Sequence, residues 1–246
     1  DVDMDWKEHE KLLRFEVPTG LRGQHALFAS PFGAEWRPQA SGDSKASAMW
    51  EVPANRWVMA STDGRDEGSF LIAESKYGFT CHDGLMAVSL LKSTKITLIN
   101  GFPARFRKGK PVPAWSDLGK QTVQMALGHL RADQSERTEY PAALAETLFA
   151  KPIAVKAAAG ALPIEFEGLD SVVPTWVAPL GKDHFIVRLH ETLGRAGRLR
   201  VVAPREWKLR RMDKAFPTGK NEQPVQKHFI DVTPGAIISL EYKKEK

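Results

Sequence analysis

The chain has 246 residues, of which 42% are hydrophobic and 26% charged, and its formal net charge is +5. This composition excludes an intrinsically disordered protein, and no run approaches the roughly 20 apolar residues of a membrane-spanning helix. A single cysteine, Cys81, excludes an internal disulfide and a zinc site built from several thiolates. Because the sequence begins at Asp1 without a leader segment, we expect a fragment of a longer polypeptide.

Alternation of apolar and polar residues predicts half-buried strands over residues 11–17, 122–127, 184–190 and 238–242. Successive side chains of a strand point to opposite sides of its sheet, so every second residue shares a face. The predicted apolar faces consist of Leu13, Phe15 and Val17; Val123, Met125 and Leu127; Phe185, Val187 and Leu189; and Ile238, Leu240 and Tyr242.

Two further segments, residues 70–73 and 85–91, are apolar on both faces. This pattern is typical of strands that lie deep in a layered sandwich. Between them, Asp83 and Gly84 are residue types that tolerate a positive φ angle, as tight hairpin turns require. We therefore predict a β-hairpin with its turn at these two residues.

One segment has helical character. Pro141 suits the first turn of a helix, and Ala143, Leu144 and Leu148 form a short apolar stripe. The helix is expected to end before Pro152, because a proline disfavours helical geometry in the residue that precedes it.

Strands that follow one another without regularly intervening helices predict an all-β fold. The small residues 157–161 resemble a linker. We therefore expect a large antiparallel β-sandwich over residues 1–160, with one short helix, and a small β-sandwich over residues 161–246.

Much of the positive charge lies in residues 195–214. Such a segment is compatible with nucleic-acid binding. However, Arg198 and Arg200 alternate with Leu199 and Val201, as on the solvated face of a half-buried strand. We favour a solvated face and expect no nucleic-acid partner.

No carboxylate pair in the sequence has the context of a catalytic pair. Asp63, Asp66 and Glu67 are expected in a solvated loop, and Glu165 and Glu167 on one face of a surface strand. The seven histidines show no HExxH or other close ligand spacing, so no metal site is predicted in this chain.

Several short strings occur in the order and spacing of a known family. They are PFG at residues 31–33 with RP at 37–38, WEVPANRW at 50–57, KYGF at 76–79, VSLLKS at 88–93, DLG at 117–119 with ALGH at 126–129, and IVRLHE at 186–191. Together they resemble the C-terminal region of the glycoside hydrolase family 38 α-mannosidases. The sequence departs from the family pattern at Asn55, where the family has a histidine, and at Gly128, where it has a proline.

The resemblance implies a large sandwich of the supersandwich, galactose-mutarotase-like kind, followed by the small one. It also implies a parent enzyme that hydrolyses α-mannosides with retention, using two carboxyl groups about 5–5.5 Å apart. Those groups, and a divalent metal (usually zinc) with His and Asp ligands, would lie in an N-terminal α/β barrel of the same polypeptide. We expect no catalytic residue, cofactor or metal in this chain, and an isolated chain without activity. The matching strings indicate a bacterial or cytosol-type branch, hence a cytoplasmic location and no membrane partner.

Five residues are candidate substrate contacts. Arg188, His190 and Glu191 lie on or beside a predicted strand of the small domain, where the family brings a loop towards the sugar. Arginine and glutamate can hydrogen-bond sugar hydroxyls. Trp57 and Tyr77 could provide an aromatic platform for a pyranose ring. For each, a packing or interdomain role is the alternative interpretation.

Two functions of other classes stay open. A free-standing carbohydrate-binding module would bind mannosides through Trp57, Tyr77 or Arg188. A nucleic-acid binder would use the basic segment near Arg205, with an affinity that falls as salt rises.

Overall fold

The computed structural model describes residues 1–31, 33–39, 42, 44, 48, 50–63, 67–96, 98–99, 102–103, 115–130, 140–149, 164–204, 206–212, 222–224 and 229–244. These residues form mainly antiparallel β-strands, in two compact units. The first unit comprises residues 1–29 and 36–137, and the second comprises residues 30–35 and 138–246. In the described part of the chain, no helix has the length and hydrophobicity needed to cross a lipid bilayer.

Thirteen strands are described from the N-terminus to residue 130. They are β1 (Val2–Trp6), β2 (Leu12–Pro18), β3 (His25–Ser30), β4 (Gly33–Pro38), β5 (Val52–Pro53), β6 (Trp57–Ser61), β7 (Gly68–Ala73), β8 (Gly78–His82), β9 (Leu85–Lys92), β10 (Leu98–Ile99), β11 (Phe102–Pro103), β12 (Gly119–Val123) and β13 (Met125–Leu130). Two sheets dominate, with strand orders β2-β9-β8-β5 and β13-β7-β6-β3-β4, beside the pairs β1-β12 and β10-β11.

The two large sheets share one hydrophobic core. Phe79, Met86 and Val88 of the four-stranded sheet belong to the same buried cluster as Val58 and Leu71 of the five-stranded sheet. Residues from both sheets in one core make this unit a β-sandwich, as predicted. Other side chains of β6 and β7 are also buried, so these strands are covered on both faces.

The predicted hairpin is confirmed. It joins β8 to β9, with His82 paired to Leu85 across the two-residue turn. Asp83 and Gly84 have φ angles of 49° and 78°, the left-handed values that such turns require.

The single strand predicted over residues 122–127 is wrong. The chain changes sheets at Gln124, because β12 pairs with β1 whereas β13 pairs with β7. Val123 and Met125 do reach the core, but Leu127 is 53% exposed. The alternation of apolar residues continues across the break and therefore does not reveal it.

The second unit contains one described helix and eight strands. They are α1 (Tyr140–Phe149), β14 (Glu165–Glu167), β15 (Val172–Gly181), β16 (His184–Glu191), β17 (Gly197–Val202), β18 (Trp207–Met212), β19 (Glu222–Pro224), β20 (Phe229–Val232) and β21 (Ile237–Lys244). The sheets have the orders β14-β17-β20 and β15-β16-β21-β18-β19.

These two sheets also share a core, so the predicted second sandwich is confirmed. Leu199, Val201 and Ile230 of the three-stranded sheet belong to one buried cluster with Val187 and Leu240 of the five-stranded sheet. The predicted faces of the strands at residues 184–190 and 238–242 are the buried ones. Arg198 and Arg200 are exposed, which confirms the solvated face predicted for this part of the basic segment.

Helix α1 exists where predicted, with Pro141 in its first turn. Its predicted apolar stripe is wrong, because Leu148 is 47% exposed while Ala142 and Ala145 are buried. The buried face of this helix is formed by alanines, and a search for large apolar residues overlooks such a face.

The predicted domain boundary at residue 160 lies outside the described residues and stays a prediction. The larger segment of the second compact unit, residues 138–246, includes α1. The predicted linker at residues 157–161, Asp66, Arg205 and the predicted helix end at Pro152 also lie outside the described residues.

Candidate functional site

The outer face of the five-stranded sheet in the second unit carries Arg188. In the strand register, Arg188 lies between Trp176 of β15 and Ser239 of β21. Its guanidinium carbon is 5.0 Å from the centroid of the Trp176 ring, and its Nε donates to Ser239 Oγ at 3.4 Å. The Trp176 side chain is 40% exposed. Arginine and tryptophan thus form a solvent-accessible cation–π pair.

His190 lies two residues along β16 and therefore on the same face as Arg188. It is half-buried and pairs with Val173 and Ile237 of the adjacent strands. Ile237 is 51% exposed. The face therefore places an imidazole, a guanidinium and apolar surface side by side.

Glu191 points to the opposite side and is fully buried. Its Oε1 accepts a hydrogen bond from the Leu193 backbone N–H at 2.9 Å. Its Oε2 accepts from the backbone N–H groups of Gly194 at 2.9 Å and Gly235 at 2.7 Å. The carboxylate therefore ties the turn after β16 to the turn before β21. A direct sugar contact by Glu191 would require these hydrogen bonds to break.

The pKa of Glu191 follows from the same contacts. Burial alone would raise the pKa of this carboxyl, because a charge loses hydration in the interior. Backbone hydrogen bonds from Gly235, Leu193 and Arg195 outweigh that effect and hold the pKa below its ordinary value. The group is thus a carboxylate that stabilises the fold.

The two predicted aromatic contacts have different environments. Trp57 is 4% exposed and pairs with Ile72 in the five-stranded sheet of the first unit, so its ring packs inside. Tyr77 is 63% exposed, and its backbone carbonyl accepts from the Ala54 N–H at 2.9 Å. Of these two rings, Tyr77 is the one available to a ligand or another domain.

Trp50 is an exposed aromatic residue that the sequence analysis did not single out. It is 51% exposed and precedes the edge strand β5, which pairs with β8. Its ring centroid is 5.1 Å from the guanidinium carbon of Arg14, and its carbonyl accepts from the Thr80 hydroxyl. Trp176 was missed as well. The available signal for Trp176 was a tryptophan between two prolines, Pro174 and Pro179.

The predicted carboxylate clusters have structural contacts in the described residues. Asp63 Oδ1 accepts from the Gln24 N–H at 2.6 Å. Glu165 and Glu167 are exposed on one face of β14, as expected, and Glu167 forms a 2.8 Å ion pair with Arg200.

The described ranges contain no cluster of side chains that could bind a metal ion. Among them, no group of three or more His, Cys, Asp or Glu side chains could hold a metal ion. Cys81 is buried, and its thiol lies 3.3 Å from Gln39 Oε1. Burial raises the pKa of Cys81 to about 12, so the thiol stays protonated and unreactive.

Comparison with known proteins gives a consistent set of matches. Residues 1–96 match the family model described as "Glycosyl hydrolases family 38 C-terminal domain". "Alpha-mannosidase 2C1" of Mus musculus is 32% identical over 94 residues, which are 38% of this chain and 9% of that protein. The "Alpha-mannosidase" of Saccharomyces cerevisiae is 32% identical over 91 residues, 37% of this chain and 8% of that protein. The aligned part thus spans less than a tenth of these curated relatives.

The fold also matches a solved structure. The crystal structure of an alpha-mannosidase from Enterococcus faecalis V583 superposes with a TM-score of 0.67 and 14% sequence identity. The match covers 97% of this chain and 26% of that one. At this identity the likeness supports the all-β fold of both units.

Proposed function

We propose that the whole chain is the non-catalytic C-terminal part of a larger α-mannosidase, because its residues 1–96 match the model of the family 38 C-terminal domain. In this proposal, an N-terminal barrel of the same polypeptide cleaves α-mannosides with retention. The present chain supports that barrel and forms one side of its substrate cleft.

The observation that carries the proposal is the match of residues 1–96, in which the aligned segment is 9% of the mouse relative. A retaining glycosidase needs two carboxyl groups facing each other across the bond to be cleaved. Of the carboxylates described above, Asp63 and Glu191 accept backbone hydrogen bonds, Glu167 pairs with Arg200, and Glu165 is exposed on β14. A divalent metal would also bind in the barrel. A cytoplasmic location is part of the proposal, because the matching strings resemble the bacterial or cytosol-type branch of the family.

Within the first unit, we assign contact with the rest of the polypeptide to the edge at β5. Trp50 and Tyr77 flank this two-residue strand and are both more than half exposed. Exposed aromatic side chains are enriched at protein interfaces, because their large apolar rings gain most from leaving water. Burial of this edge against a barrel would remove both rings from water.

Within the second unit, we assign substrate contact to Arg188 and His190, together with Trp176. A pyranose ring presents apolar C–H groups on its faces and hydroxyls around its rim. An exposed indole ring can stack on the apolar C–H groups, and guanidinium and imidazole nitrogens can hydrogen-bond the hydroxyls. Glu191 would not touch the sugar. It would hold the turn that follows β16 in place through its hydrogen bonds to the backbone.

The proposal is tested by assaying hydrolysis of 4-nitrophenyl α-mannoside. We expect no turnover by the 246-residue chain, and turnover by a polypeptide that includes the preceding part of the gene. Proton NMR of the initial product should show retained anomeric configuration. Turnover by the 246-residue chain alone would contradict the division of labour.

The sugar contact is tested in the longer polypeptide. Arg188→Ala should raise KM several-fold, whereas Arg200→Ala, which removes the same charge from an exposed ion pair on β17, should leave KM unchanged. Equal KM values for Arg188→Ala and the unsubstituted enzyme would remove Arg188 from the substrate cleft.

A carbohydrate-binding module is the second candidate, because the Trp176–Arg188 pair is accessible in this chain. It predicts that the 246-residue chain binds mannobiose with a measurable heat in calorimetry, and that Trp176→Ala abolishes this heat. Trp50→Ala is the matched control, since Trp50 also stacks with an arginine but lies in the first unit. Absence of heat with the unsubstituted chain would contradict this candidate.

A further inference from the structure

Strand β15 contains an extra residue beside Arg188. The register between β15 and β16 shifts between Pro174 and Trp176, so Thr175 has no partner of its own. On its other side, β16 pairs with β21 without a register shift, which places the irregularity in β15. Two residues opposite one define a β-bulge, and bulges are common beside functional sites, where they change the direction of a side chain.

The bulge determines which face of the sheet carries Trp176. In a strand without an extra residue, Thr175 would lie opposite Arg188, and Trp176 would lie opposite the next residue, Val187. Val187 belongs to the core of the second unit, so the indole would face that core. In the bulge, Thr175 and Trp176 both lie opposite Arg188 instead. We call these three residues and Ser239, the β21 partner of Arg188, the Arg188 row.

The Arg188 row is rich in hydrogen-bond donors, whereas a sugar hydroxyl both donates and accepts. The guanidinium of Arg188 and the indole of Trp176 have N–H donors and no acceptor. Ser239 Oγ accepts from Arg188 Nε, and Ser239 is only 4% exposed. Glu191, the acceptor predicted from the sequence, is buried and accepts backbone hydrogen bonds. A hydroxyl that binds to Arg188 therefore still needs an acceptor for its own proton.

Thr175 has the properties of that acceptor. The residue is exposed, and its Oγ1 donates to the Arg188 backbone carbonyl at 3.3 Å. This bond uses the single proton of the hydroxyl, while the lone pairs of Oγ1 can accept a further hydrogen bond. The same bond holds Oγ1 beside the main chain of Arg188. Among the described side chains of the Arg188 row, Thr175 is thus the exposed acceptor.

We propose that Thr175 contacts the substrate, by accepting a hydrogen bond from a hydroxyl of the sugar that stacks on Trp176 beside Arg188. This inference rests on the proposed sugar contact of these two residues and adds the acceptor that their chemistry lacks. A site that hydrogen-bonds a substrate hydroxyl discriminates against the analogue without it, because the protein group is then left unpaired. Thr175 therefore makes the face selective for a hydroxyl at one position of the sugar.

The test measures hydrolysis of 4-nitrophenyl α-mannoside by the longer polypeptide. Thr175→Val keeps the branched shape of the side chain and removes its hydroxyl. It should raise KM about threefold to tenfold, as expected for one lost neutral hydrogen bond. The value of kcat should change little, because the contact is made equally in the ground state and the transition state. Thr175→Ser keeps the hydroxyl and should restore the original KM.

The matched control is Thr122→Val, which removes a hydroxyl that donates to Asp3 Oδ1 at 2.6 Å in the first unit. This variant should leave KM unchanged. An increase in KM equal to that of Thr175→Val would overturn the proposal, since it would show that loss of any exposed threonine hydroxyl has this effect.

Monodeoxy analogues of the substrate distinguish a direct contact from a structural effect of the bulge. Removal of the contacted hydroxyl should lower kcat/KM less in Thr175→Val than in the unsubstituted enzyme, because its partner is already absent. Removal of any other hydroxyl should lower kcat/KM by the same factor in both enzymes. Equal factors for every analogue would contradict a contact by Thr175.

Arg188→Ala distinguishes failure of this inference from failure of the sugar contact itself. If Arg188→Ala raises KM and Thr175→Val does not, Thr175 is no substrate contact and the sugar contact stands. If neither variant raises KM, this face does not bind the substrate, and both proposals are overturned.

Discussion

The largest sheets of the two units differ in their exposure to water. In the first unit, β6 is buried at all five positions and β7 at all but one. In the second unit, β15 is exposed along most of its ten residues, and β16 alternates between buried and half-buried positions over its second half. The five-stranded sheet of the first unit is thus an internal layer. The five-stranded sheet of the second unit has a buried inner face and a solvent-exposed outer face.

This difference separates stability from binding. A strand covered on both faces has no free side chain with which to contact a ligand, so substitutions in it act through packing. The outer face of the second sheet carries Arg188 and Trp176, which belong to neither hydrophobic core. Substitutions in the first sheet should therefore change stability, and substitutions on the second outer face should change binding.

The largest effect is expected for Leu71→Ala in β7. Leu71 is fully buried, and removal of a buried leucine side chain costs about 2–5 kcal/mol through lost burial and the cavity left behind. Urea unfolding followed by circular dichroism measures the loss. Its register partner in β13, Leu127, is 53% exposed, and Leu127→Ala should cost less than about 1 kcal/mol. Equal losses would contradict the internal position of β7.

Glu191→Gln should have the next largest effect on the free energy of unfolding. It tests whether a buried polar group stabilises the second unit as strongly as a buried leucine stabilises the first. The amide would place an NH₂ group against backbone donors, at a cost of roughly 1.5–3 kcal/mol. Because the pKa of Glu191 is lowered by folding, its contribution to stability is present above the unfolded pKa and is lost as pH falls through the folded pKa. The unfolding free energy of the unsubstituted chain should therefore drop below about pH 4.5 more steeply than that of Glu191→Gln. Glu165→Gln, at an exposed position of β14, should reproduce the original pH profile.

The hairpin turns allow a smaller, local comparison. Gly84 has a φ of +78°, so Gly84→Ala should destabilise the first unit by about 1–2 kcal/mol. Gly181 precedes the β15–β16 turn, and a Cβ added there meets no atom within 4 Å. Gly181→Ala should change the urea midpoint little. A neutral Gly84→Ala would show that the first hairpin tolerates another turn geometry.

The smallest effect on stability is expected for Trp176→Ala on the outer face. Its cation–π contact with Arg188 is solvent-accessible and is worth about 0.5–1 kcal/mol. Differential scanning calorimetry should therefore show a shift of a few degrees at most. A loss above about 2 kcal/mol would mean that this face is structural and would weaken its assignment to ligand contact.

Local patterns predicted much of this fold. Asp83 and Gly84 determined a hairpin because their backbone preferences act within the turn itself. Alternation predicted β16 and β21 because one face of each is buried in a core. Alternation failed at Gln124, since a chain that changes sheets keeps its period of two. The search for an apolar stripe at helical spacing missed the alanine face of α1.

The sites were less predictable, because they depend on which strands become neighbours. Trp176 and Arg188 are twelve residues apart in the sequence, and they become neighbours only because β15 pairs with β16 in this register. Glu191 was predicted as a sugar contact from its family-like string. Its partner Gly235 is 44 residues away, and that distance in sequence hides the turn-to-turn contact. Of the residues now assigned to contact with a ligand or with the rest of the polypeptide, Tyr77, Arg188 and His190 were predicted from the sequence, whereas Trp50, Thr175 and Trp176 were not.

Because Cys81 is buried, the rate of its alkylation can report how often the first unit opens. It is the chain's one cysteine, and its folded pKa of about 12 makes the thiolate about a thousandfold rarer than at the ordinary value of 9.0. Alkylating reagents should thus modify the chain at the rate at which β8 separates from its sheet, while opening confined to the second unit leaves the thiol silent. Pulsed labelling with mass detection would then show whether the two sandwiches melt as one cooperative body or in succession.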